Sequence, residues 1–446
     1  MKRVLLITYY WPPSGGITVL RMLKFAKYLR ETGWEPVIFT AEGAHYPTVD
    51  PTNERDVPEG VEVIRQPIWE PYALYKKLMG KPADENVNNV FYTDDADGGW
   101  KHKAAVWVRS NFFIPDARAT WIKGSVKRLT AYLADHPVEA IMSDGPPHTN
   151  TRIATLVSRA TETPWLADFQ DPWTQVDYYQ LLNLTSWGRK KHERQEQEAF
   201  AQASRTTIVS PSWKHDLEAI GAKNVAVIPY GYDPEDFAGL KRTAHKKFTL
   251  THLGIMGYDR NPVNLFQAIA MLKKKVPGFA EDVELRLFGQ LDYRVKENIL
   301  AAGIGEQTNF AGNVARAEAL QQQVDSHLLL LLLNQQDNAK GRIPGKLFEY
   351  LAARRPILNF GGTDSDVAGI LKATDSGSTF AYDESPEAIA GMLKIAYQDF
   401  KSSKERPMGG EVIKPYSHPL LVKKLAKLLD DMIAPAATIQ NIPEKT

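Results

Sequence analysis

A chain of 446 residues is too long for one core of ordinary size, so two or three domains are expected. Its net charge of +1 offers no field for nucleic acid, and the lack of cysteine excludes disulfides, thiolate zinc sites and a cysteine nucleophile. A hydrophobic share of 43% beside 24% charged residues is that of a soluble globular protein, and no apolar run nears the roughly twenty residues of a membrane span.

The first forty residues read as strand, loop, helix and strand: "RVLLIT", "YYWPPSGG", "ITVLRMLKFAKYLRETG" and "WEPVIFT". Val19, Met22, Leu23, Phe25, Ala26 and Leu29 recur near helical spacing, and Gly33 suits the stop. The opening apolar run of about five residues is too short for a secretory signal. A cytoplasmic protein is expected, with any membrane contact peripheral and on the inner face. Residues from about 69 to 128 break the pattern with many aromatics, and Lys101–Arg128 holds seven Lys or Arg against the single acid Asp116. Such a segment either meets an anionic acceptor or membrane surface, or packs over the domain edge with a solvated basic face. The acidic "TDDADGG" at Thr93–Gly99 reads as a surface loop, and no metal site is expected.

Apolar strands alternating with helices resume at "EAIMSD", "PWLADF", "RTTIVS" and "NVAVIPYG". The charged helix containing "HERQE" lacks the second histidine of a zinc pair, and it reads as a solvated face around His192. A polar segment, Tyr230–Phe248, then marks a hinge. A second alternating series follows, including "FTLTHLG", "VELRLFG", "HLLLLLLN" and "PILNFGG". Continuous apolar strands between helices imply parallel sheets covered on both faces. The fold class is therefore α/β, with two doubly wound, Rossmann-like domains. They are placed at 1–235 and 245–410, and a helix and frayed tail occupy 411–446.

Ligands of such sheets sit beyond the carboxyl ends of strands, where three features gather. Gly15 and Gly16 after the first strand admit a close ligand at a helix start, although a plain turn explains them equally. Arg21, one turn further, either reaches the same anion or is solvated. Arg260 follows the strand ending near Gly254 and suits a bidentate phosphate contact. Lys346 stands at the start of a helix after Pro344 and Gly345, where the dipole favours acids. An i,i+3 pair with Glu349 would be poorly oriented there. A phosphate held by Lys346, Arg260 and the amides near Gly345 accounts better for the cation, with Glu349 accepting from two vicinal hydroxyls. No G-x-G-x-x-G follows a candidate strand, which argues against NAD.

The ordered set "YYWPPSGGITVLRMLKFAKYLRETGWEPVIFT", "SDGPPHTNTRIA", "PWLADFQDPWT", "VIPYGYDPEDF", "THLGIMGYDRNP" and "GKLFEYLAARRPIL" resembles the retaining GT-B glycosyltransferases. The resemblance is to glycosyltransferase family four, in the branch of bacterial surface-polysaccharide and lipid-linked saccharide synthesis. It implies an acceptor-side first domain, a nucleotide-sugar second domain, a cleft between them and a C-terminal helix returning to the first domain. It also implies Glu349 on the ribose, Arg260 and Lys346 on the diphosphate, and Gly15 and Gly16 closing over the diphosphate or donor sugar. His148 would approach the transferred sugar, and Asp171 would face the acceptor. The expected partners are a nucleotide-sugar donor and a saccharide or lipid-linked acceptor, with no cofactor and no metal required. One departure stands out: Gly341 occupies the position, eight before Glu349, where many members carry an acid that reads the sugar. Asp337, Asn338 or the amides of residues 341–343 would have to replace it. The alternatives are a nucleotide-sugar 2-epimerase of the same architecture and a non-catalytic binding protein.

Overall fold

The structure, a computed structural model, describes residues 1–70, 100–336, 338–404 and 409–434. The aromatics Tyr72, Tyr75, Phe91 and Tyr92, the acidic loop Thr93–Gly99, Asp337 and the tail beyond Ala434 lie outside the described residues. The chain divides into two compact units. The first takes the described parts of residues 1–208, 216–228 and 422–434, and the second takes residues 209–215 and 229–421. The break after Ile228 thus precedes the polar segment in which composition placed a hinge.

In the first unit, β1 (Lys2–Ile7), β2 (Trp34–Glu42), β3 (Glu62–Pro67), β4 (Ala140–Gly145), β5 (Trp165–Phe169), β6 (Arg205–Ile208) and β7 (Val225–Val227) form one parallel sheet. Its order is β3-β2-β1-β4-β5-β6-β7. Leu5 of β1 is paired with Val37 on one side and Ile141 on the other. Val4 to Ile7 are fully buried, as a central parallel strand must be when both faces are covered. The helices α1 (Ile17–Leu29), α2 (Trp100–Phe112), α3 (Ile122–Asp135), α4 (His148–Thr161) and α5 (Ser186–Gln202) lie between these strands in sequence. Gly33, at φ 85°, stops the turn after α1 by donating its N–H to the Arg30 carbonyl at 3.2 Å.

The second unit repeats the design with β8 (Phe248–Leu253), β9 (Val283–Phe288), β10 (Thr308–Gly312), β11 (Leu328–Leu332), β12 (Ile357–Phe360) and β13 (Gly377–Phe380). The order is β10-β9-β8-β11-β12-β13, again parallel throughout. β11 consists of five leucines, all buried, and its position between β8 and β12 gives both faces a core to fill. Its main helices are α6 (Val263–Lys275), α7 (Tyr293–Ala301), α8 (Arg316–Asp325), α9 (Lys346–Ala352), α10 (Asp366–Ala373) and α11 (Pro386–Lys401).

The last helix, α12 (His418–Ile433), buries Leu421, Val422, Leu425, Ala426 and Leu429 along one stripe. From Val422 onward it belongs to the first unit, where Asp430 pairs with Lys2 and accepts from Trp34 Nε1 at 3.0 Å. Lys424 Nζ caps the sheet edge by donating to the Val227 carbonyl at 2.8 Å.

Candidate functional site

In both units the chain changes direction beyond the central strands: β1 and β4 in the first, β8 and β11 in the second. Those are the places where open α/β sheets hold ligands. In the second unit β8 ends at Leu253 and Gly254 turns away at φ 124°. A Cβ on Gly254 would lie 2.6 Å from the Lys346 ammonium, so glycine leaves the room that this cation occupies. Side chains at a helix start lean toward its N-terminus, and Lys346 reaches back to donate to the Leu253 carbonyl at 2.9 Å. The pair with Glu349 along the helix does not form.

Arg260 ends a short turn, Tyr258–Arg260, after the same strand. Its Nε is buried with no hydrogen-bond partner among the described residues, and its ion-pair contact with Asp259 is loose at 3.8 Å. Burial, and after it the charge of Arg260, pushes the Lys346 ammonium down to about 8, against a smaller upward pull from Glu349. His252, buried on β8, is pushed down to about 3 by burial and then by Lys346, so it stays neutral and adds no third positive charge beside these cations. Two cations that repel each other, one with an unfilled buried donor, form a place for a polyanion.

Glu349 lies one turn deeper in α9. It accepts from Arg316 Nη1 at 2.6 Å and from Gln323 Nε2 at 3.3 Å, and Arg316 Nη2 also binds Asp236 at 3.2 Å. Burial opposes the charge on Arg316, yet Glu349 and Asp236 outweigh it and raise its pKa. Nothing in the local sequence around Glu349 announces these partners, because both come from α8. Gly341 has a steric explanation. A Cβ there would stand 2.4 Å from Cδ1 of Trp213, a buried indole whose Nε1 donates to the Asn338 side-chain oxygen at 3.0 Å. No side chain fits at Gly341, and the Asn338 side chain is engaged in holding the indole.

The first unit contains a cavity of about 340 Å³ whose lining includes His148, Trp173, His192, Tyr179, Ser110 and Asp171. His148 opens α4 just beyond β4, and Asp116 secures that start by accepting from Thr149 N at 2.8 Å and Thr149 Oγ1 at 2.9 Å. The His148 ring lies flat on Trp173, with centroids 4.6 Å apart and planes 2° from parallel. Trp173 Nε1 in turn donates to His192 Nδ1 at 3.0 Å. Burial, and then His192, pushes His148 down to about 3; burial pushes His192 to about 4 despite Asp116. Both rings are therefore neutral near pH 7. His148 Nδ1, Ser110 Oγ and Tyr179 Oη are buried without hydrogen-bond partners among the described residues. Buried polar atoms of this kind are rare unless a ligand or water meets them.

Three sequence expectations are corrected in the first unit. Arg21 is neither solvated nor turned to a ligand: it is 1% exposed and grips Asp168 through Nε at 2.7 Å and Nη2 at 2.8 Å. A buried guanidinium needs such a paired acid, and Thr207 completes it by donating to Asp168 at 2.6 Å. The Gly15 N–H is spent on the Thr48 carbonyl at 2.8 Å, whereas Gly16, at φ 91° with open space around it, remains at the uncapped start of α1. The helix around His192 is not a purely solvated face, since His192, Gln195 and Glu196 are buried. Sequence reasoning also missed Arg316, Trp213, Ser110 and Tyr179. The one available signal was Trp213 itself, a large apolar residue in an otherwise polar helix start.

Two doubly wound units of parallel strands define the GT-B architecture of two Rossmann-like domains. Within it, residues 15–231 match the family model of the glycosyl transferase 4-like domain. Solved structures similar in fold include a glycosyltransferase from Rickettsia africae, 14% identical with a TM-score of 0.59, covering 98% of this chain and 99% of that one. A sucrose-phosphate synthase from Thermosynechococcus elongatus is 13% identical with a TM-score of 0.62, covering 97% of this chain and 99% of that one. HepE of Anabaena, solved with UDP, is 13% identical with a TM-score of 0.56, covering 97% and 96%. No curated protein sequence matches the chain. Among the described residues no helix is long and apolar enough to cross a membrane.

Proposed function

We propose that this protein transfers a sugar from a nucleoside diphosphate to a hydroxyl of a saccharide or lipid-linked saccharide. The transfer retains anomeric configuration and serves cell-surface polysaccharide synthesis in the cytoplasm. The observation that carries this reading is the pair of Arg260 and Lys346, two mutually repelling cations beyond β8 with an unfilled buried donor.

In this reading the diphosphate lies against both cations and the amides near Gly345. Glu349 receives the ribose: Arg316 and Gln323 each take one acceptor position on its carboxylate, and the remaining lone pairs suit two vicinal hydroxyls. Negative charge grows on the diphosphate as its bond to the sugar breaks, and fixed cations stabilise that charge without rearranging. The departing phosphate oxygen takes the acceptor proton, so no protein base is required. Neutral His148 positions the sugar through its unfilled ring nitrogen, Gly16 admits the ligand at the start of α1, and Asp171 serves the acceptor side. Because the cations supply the charge, turnover is expected to survive a chelator of divalent metals. Loss of activity in the chelator would overturn that part.

UDP bound to the Anabaena protein makes UDP the first nucleotide to test. Titration calorimetry on Lys346→Ala and Arg260→Ala should show weakening by about 1.5–3 kcal/mol each for the correct nucleoside diphosphate. Unchanged affinity and turnover in both would remove the assignment. Consumption of the donor sugar as an epimer, with no acceptor present, would replace transfer by isomerisation.

A further inference from the structure

The second unit gathers cations at both ends of its sheet. The starts of β8, β11 and β12 lie one strand length, about 20 Å, from the ends where Lys346 and Arg260 stand. At these starts the segment before β8 is tied to the end of α8. Asp325 accepts from Thr243 N at 2.6 Å, and Gln321 Nε2 donates to the Lys241 carbonyl at 2.9 Å. Arg242 lies between those two contacts. Strand register sets His327 beside Arg355, because Leu329 and Ile357, two residues further on in each, are paired.

His327 has a defined tautomer. Its Nδ1 accepts from Thr249 N at 3.2 Å, and its own N–H donates to Thr249 Oγ1 at 3.1 Å. The Thr249 hydroxyl hydrogen is then directed at Nδ1, 3.0 Å away. The ring hydrogen is therefore on Nε2, which has no hydrogen-bond partner among the described residues. Burial, then Arg242, His245 and Arg355, pushes this ring down to about 4, so it is neutral near pH 7. Arg355 donates through Nε to the Ala353 carbonyl at 3.3 Å and makes no ion pair among the described residues. Burial, then Arg242, pushes it down to about 10, so it keeps its charge. The acids acting on this group are Asp325 and Glu284, and Glu284 already faces Arg286 at 3.3 Å.

We propose that Arg355, Arg242 and the Nε2–H of His327 form a second anion site, for a phosphate group, at the amino ends of β8, β11 and β12. The terminal nitrogens of Arg355 form a planar fork that matches two phosphate oxygens. The imidazole N–H donates to a third oxygen, and Arg242 adds charge. The site does not depend on the assignment of the nucleotide site, which lies at the other end of the same strands. Its occupant ties the segment before β8 to the starts of β11 and β12, so it stabilises the second unit.

The test is thermal unfolding of the full chain with increasing inorganic phosphate, at ionic strength held constant with chloride. The expected result is a saturable rise in melting temperature. Arg355→Gln should leave the melting temperature without phosphate unchanged and raise the phosphate needed by about tenfold or more. Arg355→Lys, which keeps the charge but loses the fork, should fall between the two. Arg260→Ala should retain the response that Arg355→Gln loses, which separates this site from the nucleotide site. Glucose 6-phosphate tells the source of the phosphate. A stronger response than to the free ion assigns the site to phosphate esters, an equal or weaker one to inorganic phosphate, and both keep the site. No saturable response in the wild type would overturn the proposal. So would equal responses in wild type, Arg355→Gln and Arg355→Lys, or a response that only Arg260→Ala removes.

Discussion

At the scale of single residues, Gly341 carries the clearest steric argument. Its missing side chain is replaced by the face of Trp213, and even a methyl group would meet the indole at 2.4 Å. Gly341→Ala should therefore destabilise the second unit by about 1–3 kcal/mol, the usual cost of overpacking. Urea unfolding measures it, and Gly341→Ala combined with Trp213→Phe should cost less than the two changes summed, because the pair shares one contact. Additivity would show that the clash is relieved elsewhere. The sequence displayed the glycine and its spacing from Glu349, but the indole that fills the space comes from 128 positions earlier in the chain, beyond the reach of any local pattern.

Lys346 gives a pH argument. Its free pKa lies near 8, and a bound diphosphate favours the charged form, so the bound pKa is higher. The ligand then binds best where Lys346 is already protonated, below about pH 8, and affinity falls as pH rises from the free toward the bound value. Between those values binding takes up a proton. Calorimetry at pH 8.5 or so, in buffers of different ionisation heat, should reveal that uptake, and Lys346→Arg should abolish it because a guanidinium stays charged. No uptake in the wild type would place the diphosphate away from Lys346.

At the scale of elements, strand-helix alternation was legible because burial on both faces writes itself as unbroken apolar runs, of which β11 is the extreme case. The helix α5 was not legible for the opposite reason. Its composition is highly polar, yet His192 accepts from Trp173 at 3.0 Å and Glu196 accepts from Thr174 Oγ1 at 2.6 Å. Polar residues are buried here through partners on the β5–α5 connection, and periodicity reads only apolar burial. The bond to His192 also orients the indole on which His148 stacks. His192→Ala leaves Trp173 Nε1 buried without its acceptor and should cost about 1–3 kcal/mol of stability. His192→Gln, which keeps an acceptor, should recover part of it. Equal losses in both variants would mean that ring packing, not the hydrogen bond, matters at this position.

At the scale of the whole molecule, the two units have separate cores but one of them is finished by the end of the chain. Leu425 and Leu429 of α12 are fully buried, and Asp430 ties this helix to Lys2 and Trp34 at the opposite end of the sequence. That return was expected from the resemblance and could not be read from the amphipathic pattern alone, which shows a buried face without naming what covers it. The first unit therefore gains stability from residues that enter it last, while Lys346, Arg260 and Glu349 all lie in the second. Leu425→Ala should lower the stability of the first unit by about 2–5 kcal/mol through a cavity beneath α12. A nucleoside diphosphate at a hundred times its Kd stabilises only the unit that binds it, by about 2.7 kcal/mol. Scanning calorimetry of Leu425→Ala should thus show an early transition unmoved by ligand and a later one that still shifts with UDP, or with whichever diphosphate binds. If the substitution instead lowers both transitions together and abolishes the ligand shift, the units do not melt independently and the helix supports both.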